Sequence, residues 1–419
     1  MDNNLAPRLI FPLLKQHLVE KEITVIVGPR QAGKTTLVKQ LMAGLADAYY
    51  FNLDLVSDRA LFQSQTDVIQ FIKNRLGGKK RIYLFVDEAQ RLTNPGLFFK
   101  GIYDLEMPVK IILTGSSSLE IRAKINEPLT GRKRLFRLYP FSFGEYLLIK
   151  EPALLSFLEK NDPYSERQIL SHLEQFMLFG GYPKVVLTKN LEEKIACLQE
   201  IYESYIDKDV VGFLRIKDSF AFGKLVRILA EETGGLFNLE KISQEIGIKN
   251  TTLRNYLRAL ENTFVVQRLL PYFSSTRTEI RKMPKVYFWD TGLRNFAKDW
   301  RDFSWQPFSE RPDKGPVLEN FIFSELLKAE AGEVNFWRTK DGAEIDFIVS
   351  KKGKKIPVEI KAQSLEEIEI SRGYLSYLER YQPPLGIIIS FSHLSPRTIN
   401  KTEIHFLSPY ELIPFLAKV

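Results

Sequence analysis

One short stretch limits the folds open to this 419-residue chain more than any other. Residues 28–35, GPRQAGKT, fit the pattern G-x-x-x-x-G-K-[ST] without a mismatch. The stretch directly follows an apolar run at 24–27 and opens a helical stretch at 35–45. A strand, a glycine loop and a helix in this order direct backbone N–H groups at phosphate oxygens, beside the positive end of the helix dipole. The sequence therefore predicts a nucleotide-phosphate site; the alternative is a fortuitous glycine turn.

The predicted loop contains the groups needed to hold ATP. The expected binding residues are Gly28, Pro29, Arg30, Gln31, Ala32, Gly33, Lys34, Thr35 and Thr36. Lys34 would place a positive charge at the β- and γ-phosphates, and the Thr35 hydroxyl would be a ligand of Mg²⁺. ATP and Mg²⁺ are therefore the expected cofactors.

Two carboxylates end the buried apolar run of the stretch RIYLFVDE. We expect Asp87 to hold the magnesium ion through water, and Glu88 to orient or activate the attacking water. Without the glycine loop, the same two acids would equally well begin a solvated loop. Their position after an apolar run makes them the predicted hydrolytic pair.

Two later segments offer further polar groups for the phosphates. Ser116, with Thr114 in reserve, is the candidate sensor of the γ-phosphate; the alternative is a Ser/Gly turn. Arg132, in a basic cluster after a turn, is the candidate for neutralising transition-state charge, in its own chain or in a neighbour's. The alternative for Arg132 is a solvated basic loop. Action across an interface would imply a homo-oligomer.

These motifs together resemble a known family. The stretches GPRQAGKTT, LFVDEAQ, ILTGSSS and LTGRKRLFRLYPFSFGEY occur in this order within residues 24–146. They closely resemble the bacterial and archaeal AAA+-type ATPases of the signal-transduction-like branch, which pair an ATPase core with a C-terminal domain of unknown function that carries a winged helix and a nuclease-like fold. Later segments match too, so the resemblance covers most of the chain. It implies nucleotide binding and leaves the physiological role open.

The alternation of apolar runs and helical stretches predicts an α/β protein in four parts. Residues 1–145 are the expected P-loop NTPase core, a parallel sheet with helices on both faces. Residues 146–215 are the expected helical lid, with a turn between helices at GGYP, residues 180–183. A winged-helix module at 216–290 and a restriction-endonuclease-like α/β domain at 291–419 complete the prediction.

The third part has the spacing of a helix-turn-helix. A short helix ends near Gly247, and Asn250 is expected to cap a second helix that has one apolar face. Two strands follow, as in a wing. The candidate DNA-phosphate contacts are Lys249, Arg254, Arg258, Arg277 and Arg281. The alternative is a packing module, because in the family that the chain resembles a winged helix often serves as a lid or clamp.

The last part contains a candidate metal site. Two predicted strands, 345–349 and 356–360, flank a KKGKK turn, and a hairpin centred on that turn places Asp346 opposite Glu359, with Lys361 on the same face. Two carboxylates and a lysine suit Mg²⁺ or Mn²⁺ beside a scissile phosphate.

The spacing of these residues resembles the PD-(D/E)xK nuclease superfamily, although the proline of that name is absent. In that superfamily an upstream helical glutamate, here Glu319, often completes the metal site. The resemblance thus implies Glu319, Asp346 and Glu359 as metal ligands and Lys361 as a catalytic residue. The alternative is a salt-bridge ladder in a fold that no longer cuts, with Lys361 neutralising Glu359 or Glu344.

Composition narrows the setting of these sites. Lysine and arginine number 59 against 51 acidic residues, and the net charge of +8 favours an anionic partner such as DNA without selecting one. The single cysteine, Cys197, fits a reducing compartment. No run is long and apolar enough to span a membrane, and no secretion signal is evident, so the cytoplasm is the expected location.

The combined expectation is an ATP-hydrolysing protein that acts on or near DNA. In one version it is an ATP-gated, metal-dependent nuclease. In the other it is a nucleotide-dependent switch or scaffold, whose nuclease-like domain is inactive and binds a partner.

Overall fold

The computed structural model describes residues 6–115, 129–158, 162–204, 218–272, 283–299, 306–339, 341–363, 369–392 and 394–419. Over these residues the protein is a mixed α/β structure that divides into two compact units. The first unit comprises the described residues of Met1–Phe141 with Asn262–Phe264. The second comprises those of Ser142–Glu261 and Val265–Val419.

Helices and strands alternate in the first unit. In chain order they are α1 (Phe11–His17), β1 (Ile23–Val27), α2 (Lys34–Met42), β2 (Ala48–Asn52), α3 (Val56–Leu61), α4 (Gln65–Leu76), β3 (Ile82–Asp87), α5 (Pro95–Tyr103), β4 (Val109–Gly115) and β5 (Lys133–Arg137). The strands form a parallel sheet in the order β2-β3-β4-β1-β5. The predicted sheet of a P-loop NTPase core is confirmed.

Helices flank this sheet, and its central strands β1, β3 and β4 are buried on both faces. Ile26, Phe85 and Ile112 pack against α1 and α2 in one apolar core. Their neighbours Val25 and Leu84 are equally buried, although side chains alternate between the faces of a sheet. Burial on both faces explains why these three strands are apolar runs rather than alternating ones. Because the strands are parallel, the carboxyl ends of β1, β3 and β4 lie on the same side of the sheet.

The second unit begins with helices and ends with a sheet. Its elements are α6 (Phe143–Lys150), α7 (Pro163–Phe179), α8 (Pro183–Leu187), α9 (Leu191–Glu203), α10 (Ser219–Glu231), α11 (Leu239–Ile246), α12 (Asn250–Asn262), β6 (Val266–Leu269), β7 (Lys285–Phe288), α13 (Thr291–Lys298), α14 (Lys314–Lys328), β8 (Glu333–Arg338), β9 (Glu344–Lys351), β10 (Lys354–Ile360), α15 (Arg372–Tyr381), β11 (Leu385–Ile389), β12 (Arg397–Ile399), β13 (Thr402–Leu407) and α16 (Leu412–Lys418). Strands β6 and β7 pair antiparallel. Strands β8–β13 form a mixed sheet in the order β12-β13-β11-β10-β9-β8.

Helices also pack on both faces of the mixed sheet. Tyr374 and Tyr377 of α15 join a core with Ile348 of β9. On the opposite face, the ring of Phe323 from α14 lies 5.8 Å from that of Phe347. The sheet therefore has a buried interior on each side. Among the described residues, no helix is long and apolar enough to cross a membrane.

The predicted turn at residues 180–183 does connect α7 and α8, and it is also a tight packing contact within the second unit. Gly180 has φ +74°, and a Cβ there would lie 2.0 Å from the Asp290 carboxylate. The Gly181 N–H donates to that carboxylate at 2.7 Å. A Cβ at Gly292 would lie 2.0 Å from the carbonyl oxygen of Phe179. Helices α7 and α13 thus meet through their backbones, which only small residues allow.

Candidate nucleotide site and carboxylate cluster

Glycine is required at two positions of the loop between β1 and α2. Gly33 caps α2 with φ 93°, in the left-handed region that favours glycine. A Cβ at Gly28 would lie 1.9 Å from the carbonyl oxygen of Leu138. This approach is close because the Leu138 N–H donates to the Val27 carbonyl at 2.8 Å, which holds the end of β5 against the loop. The spacing of the motif therefore has a geometric cause.

Lys34 turns its ammonium group into the glycine loop. It is the first residue of α2, and its side chain is buried. The Nζ atom donates to the carbonyl oxygens of Gly28 at 2.9 Å and Pro29 at 2.8 Å. Positive charge and the amino end of α2 thus coincide in the loop, an arrangement that attracts phosphate. Arg30, Gln31 and Ala32 complete the loop, and Thr36 follows as an exposed residue of α2.

Arg8 supports the loop from outside the motif, and sequence analysis missed it. Its guanidinium donates to the carbonyl oxygen of Ala32 at 2.9 Å and also to that of Tyr139. It lies 4.6 Å from the centre of the Phe141 ring. The side chain is buried, so these contacts tie the loop to the segment after β5. No local pattern marks an arginine that acts over such a sequence separation.

Asp87 is the centre of a hydrogen-bond network at the ends of β3 and β4. Its Oδ2 accepts from the Thr35 hydroxyl at 2.7 Å and from the Tyr50 hydroxyl at 2.8 Å. Its Oδ1 accepts from the hydroxyl of Thr114. Burial, together with the bond to Asp87, raises the pKa of Tyr50 well above its ordinary value. The predicted ligands Thr35 and Asp87 are therefore in contact, and their oxygens form the hard donor set that Mg²⁺ prefers.

Glu88 follows directly, in a constrained backbone conformation. Its φ of 56° lies in the left-handed region, which is uncommon for a residue with a side chain. Its N–H lies 3.2 Å from Asp87 Oδ1 and 3.3 Å from the hydroxyl oxygen of Thr114, which accepts from it. The side-chain amide of Gln90 donates to the Glu88 carboxylate. Thr114, the reserve candidate, thus fixes both acidic residues; Ser116 lies outside the described residues.

Arg132 lies at the amino ends of the strands, whereas the glycine loop lies at their carboxyl ends. It precedes β5, whose first residue pairs with Ile23 at the start of β1. The length of β1, about 16 Å for five residues, separates this end of the sheet from the loop. The Arg132 guanidinium pairs with Asp104 at 2.8 Å. The structure does not bring Arg132 to the nucleotide site of its own chain. The residue of β5 nearest the glycine loop is instead Arg137, which pairs with Val27 at the carboxyl end of β1.

Helices α11 and α12 are joined at Gly247, whose φ is 82°. Asn250 is the first residue of α12 rather than a cap before it, and it accepts a hydrogen bond from Ser243. Lys249, Arg254 and Arg258 are exposed, whereas the apolar residues of α12 are buried. Three cations therefore face solvent beside a two-stranded antiparallel pair, β6–β7. The other two candidates, Arg277 and Arg281, lie outside the described residues.

The hairpin of the candidate metal site has the predicted register. Lys351 stands opposite Lys354 and Phe347 opposite Val358, with Asp346 the next residue along β9. This register places Asp346 and Glu359 in neighbouring positions of two paired strands. The prediction of a hairpin centred on the KKGKK turn is confirmed.

Each carboxylate of this hairpin already binds a protein donor. Asp346 accepts the N–H of Ile360 at 2.8 Å. Glu359 pairs with Lys361 at 2.6 Å and accepts from the Ser371 hydroxyl at 3.0 Å. Lys361 is therefore engaged with Glu359, as in the salt-bridge alternative.

Strand β7 adds a lysine that sequence analysis missed. Lys285 is 3% exposed, and its Nζ lies 3.0 Å from Glu319 and 2.6 Å from Glu344. Tyr287 also donates to Glu319. Burial alone would lower the pKa of Lys285, but Glu319, Asp346 and Glu344 outweigh burial and raise it. Tertiary pairing alone reveals this lysine, because β7 is distant in sequence from the acids.

The predicted metal ligands lie near one another without sharing a coordination shell. Burial, followed by the charge of Glu319, raises the pKa of Asp346 to about 8 against the opposing effect of Lys285. In the part of the chain that the structure describes, no three His, Cys, Asp or Glu side chains are arranged to hold a metal ion. The cations that contact Glu319 and Glu359 are instead the ammonium groups of Lys285 and Lys361.

Models of three domain families match separate segments of this chain. Residues 20–147 match the model of an AAA domain family. Residues 170–304 and 314–410 match two domains of unknown function, DUF8612 and DUF4143. The chain thus carries an AAA-type P-loop ATPase domain, which supports ATP binding, followed by segments whose family descriptions assign no activity.

Two relatives that match most of this chain, and one solved structure, are also similar to it. An uncharacterized protein of Mycobacterium tuberculosis is 27% identical over 91% of this chain and 80% of its own length. One of Haemophilus influenzae is 25% identical over 92% of this chain and 93% of its own. A Walker-type ATPase of Pyrococcus abyssi has a TM-score of 0.50 at 14% identity, covering 69% of this chain and 94% of that one. This last likeness concerns the fold.

Proposed function

We propose that this protein is a Mg²⁺-dependent ATPase that works as a nucleotide-dependent switch, and that its second unit binds nucleic acid without cutting it. The observation that carries the ATPase assignment is the meeting of Lys34, Thr35 and Asp87 at one edge of the parallel sheet. A cation in a glycine loop, a hydroxyl and a buried carboxylate are the groups that phosphoryl transfer requires.

Each residue of the site has a defined part in this proposal. The loop amides and Lys34 bind the β- and γ-phosphates. Thr35 and Asp87 would hold Mg²⁺, whose charge would neutralise the phosphate oxygens. Glu88 takes a proton from the attacking water or orients it. Thr114 keeps Asp87 and the Glu88 backbone in place.

The remaining candidates have narrower roles. Arg132 would act only on the nucleotide of a neighbouring copy, because it precedes β5 at the end of the sheet away from the glycine loop. Ser116 is retained as a phosphate sensor on its sequence position alone.

The ion pairs of Lys285 and Lys361 support the version without cleavage. A divalent cation bound by Glu319, Asp346 and Glu359 would have to displace two ammonium groups, one of them buried. Nucleic-acid binding is supported instead by the exposed Lys249, which precedes α12, and by the exposed Arg254 and Arg258 on α12.

A test of the ATPase assignment compares Lys34→Ala with the wild type. We expect calorimetry with ATP and Mg²⁺ to show binding by the wild type and a loss of at least tenfold in affinity or turnover for the variant. Lys39→Ala, an exposed residue of the same helix, is the matched control and should behave as the wild type. Equal nucleotide binding by Lys34→Ala and wild type would refute the proposal.

The non-cleaving version is tested with Mn²⁺ and single-stranded, duplex and branched DNA. We expect intact DNA after incubation with wild type at stoichiometric concentration. Cleavage that disappears in Glu359→Gln would show that the domain is a nuclease after all.

A further inference from the structure

An open cavity of about 430 Å³ lies in the second unit where strands β10 and β11 end. The two strands are parallel, and the N–H of Lys361 donates to Ile389 at 2.8 Å, so the residues that follow both strands meet at one edge. Ala362 and Gln363 come from the end of β10, and Phe391 from the end of β11. Crevices at the carboxyl ends of parallel strands are frequent ligand sites, and this volume suits a small-molecule group.

Two aromatic rings form the apolar part of this β10–β11 cavity. Phe308 is 8% exposed, and its ring centre lies 5.5 Å from that of the half-buried Phe391, with an angle of 57° between the planes. The buried ring fixes the position of the outer one. A flat aromatic group entering the cavity could therefore stack on Phe391 without a rearrangement of the core.

The polar part of the cavity has the groups that recognise the edge of a nucleobase. Gln363 offers an amide, Glu174 a carboxylate and Ser309 a hydroxyl, and all three are exposed at the rim. Amides and carboxylates pair with the ring nitrogens and exocyclic groups of bases. Stacking on one side and hydrogen bonding at the edge are the two requirements of a base pocket.

One lysine lines the cavity, and a second lies next to a lining residue in sequence. Lys314 lines it from the first residue of α14, a 15-residue helix whose amino end adds a positive dipole. Lys361 immediately precedes the lining residue Ala362, and its side chain is partly exposed beside Glu359. A cation at the mouth of a base pocket fits the phosphate that adjoins the bound base, and Lys314 is the lining residue that supplies it. A free nucleotide shares this chemistry.

We propose that the β10–β11 cavity binds one nucleobase of a single-stranded nucleic acid, with an adjoining phosphate held by Lys314. This inference rests on the proposed nucleic-acid binding of the second unit and names the part of the ligand that the sheet domain holds. It gives the nuclease-like domain a binding role that needs no metal ion.

The test uses a 12-nucleotide oligo-dT with one central 2-aminopurine, titrated with the full chain in EDTA and without ATP. Stacking quenches 2-aminopurine, so we expect quenching with wild type and a roughly tenfold weaker binding for Phe391→Ala. Gln363→Ala, at an exposed position, should weaken binding without affecting folding. Phe220→Ala is the matched control, because Phe220 is an 81% exposed phenylalanine of the same unit.

Three results would overturn the inference. One is wild-type binding without quenching, and another is equal affinity of Phe391→Ala and wild type with both proteins folded. The third is binding of 2-aminopurine deoxyriboside monophosphate as tight as that of the strand, which would identify a free nucleotide as the ligand. Turnover of ATP and binding of duplex DNA, measured on the same samples, show whether the failure concerns only this cavity or the proposed function itself.

Discussion

Glu88 shows how much a proposed catalytic position depends on backbone geometry. It has a left-handed conformation, its N–H is fixed by Thr114, and its carboxylate accepts from Gln90. Strain of this kind persists when surrounding bonds determine it, and it is frequent at active sites.

We expect Glu88→Gln to bind ATP as the wild type does and to hydrolyse it at least a hundredfold more slowly. The reason is that the amide keeps the size of the side chain but cannot accept a proton from water. Phosphate release at saturating ATP measures the effect. Glu106→Gln, which changes an exposed acid of the same unit, is the control, and a wild-type rate for Glu88→Gln would remove Glu88 from the mechanism.

His17 predicts a pH dependence of stability in the first unit. It is buried, 2.8 Å from the Thr24 hydroxyl and 3.3 Å from the Lys110 ammonium. Burial, then the charge of Lys110, lowers the pKa of His17 to about 4. Between about pH 6.5 and pH 4 the unfolded chain therefore binds a proton that the folded protein does not, so stability falls as the pH falls through this window.

We expect the wild type to lose about 1 to 3 kcal/mol more stability between pH 7 and pH 4.5 than His17→Gln. Urea unfolding followed by circular dichroism at the two pH values gives the comparison. His405→Gln, in the second unit, should keep the wild-type dependence. Parallel pH profiles for wild type and His17→Gln would contradict the assignment.

At the scale of elements, the contact between α7 and α13 is set by Gly292. A Cβ there would lie 2.0 Å from the carbonyl oxygen of Phe179 and 2.7 Å from the Gly180 nitrogen. Neither backbone atom can move without moving a helix. We therefore expect Gly292→Ala to destabilise the second unit by about 1 to 3 kcal/mol or more.

Gly223→Ala provides the comparison, because nothing lies within 4 Å of a Cβ at this position of α10. Alanine is a better helix former than glycine, so this variant should be as stable as wild type or more so. All four tryptophans follow residue 288 in sequence, so their fluorescence during urea unfolding follows the second unit. Equal midpoints for the two variants would show that the contact is looser than described.

The elements of the nucleotide site could be predicted because its determinants are local. The apolar runs before Gly28 and Asp87 mark strands buried on both faces, and parallel strands bring their carboxyl ends to one edge. The hairpin register followed from one turn. By contrast, Arg8, Tyr50 and Lys285 enter their sites through contacts with segments distant in sequence. A role for Arg132 at the nucleotide site of its own chain was not supported, because sequence order does not say at which end of the sheet β5 begins.

At the scale of the whole molecule, the charge of +8 has a measurable consequence. Contacts between cations and DNA phosphates release counterions, so affinity falls with salt, by a slope of about −0.9 per contact. The exposed Lys249, just before α12, and the exposed Arg254 and Arg258 on α12 are the described candidates for such contacts.

We expect duplex DNA binding to weaken steeply between 50 and 200 mM salt, where a slope of several units corresponds to roughly 10³-fold or more. Replacing Lys249, Arg254 and Arg258 by alanine should reduce the slope by about 3 units. Fluorescence anisotropy at several salt concentrations measures both slopes. The triple replacement of Lys15, Lys39 and Lys73, exposed in the first unit, is the control. A flat salt dependence in wild type would favour a protein partner instead of DNA.

The position of Lys285 has a consequence for how this chain can change over generations. A neutral residue at position 285 would leave Glu319 and Glu344 without the cation that they share. Removing one partner of a buried ion pair strongly destabilises a fold, because the remaining charge is left uncompensated. Libraries that randomise position 285 alone should return lysine again and again. Libraries that vary positions 285, 319 and 344 together should also return combinations of three uncharged residues. Substitutions at these positions of the β6–β7 pair, of α14 and of the mixed sheet are therefore expected to occur together.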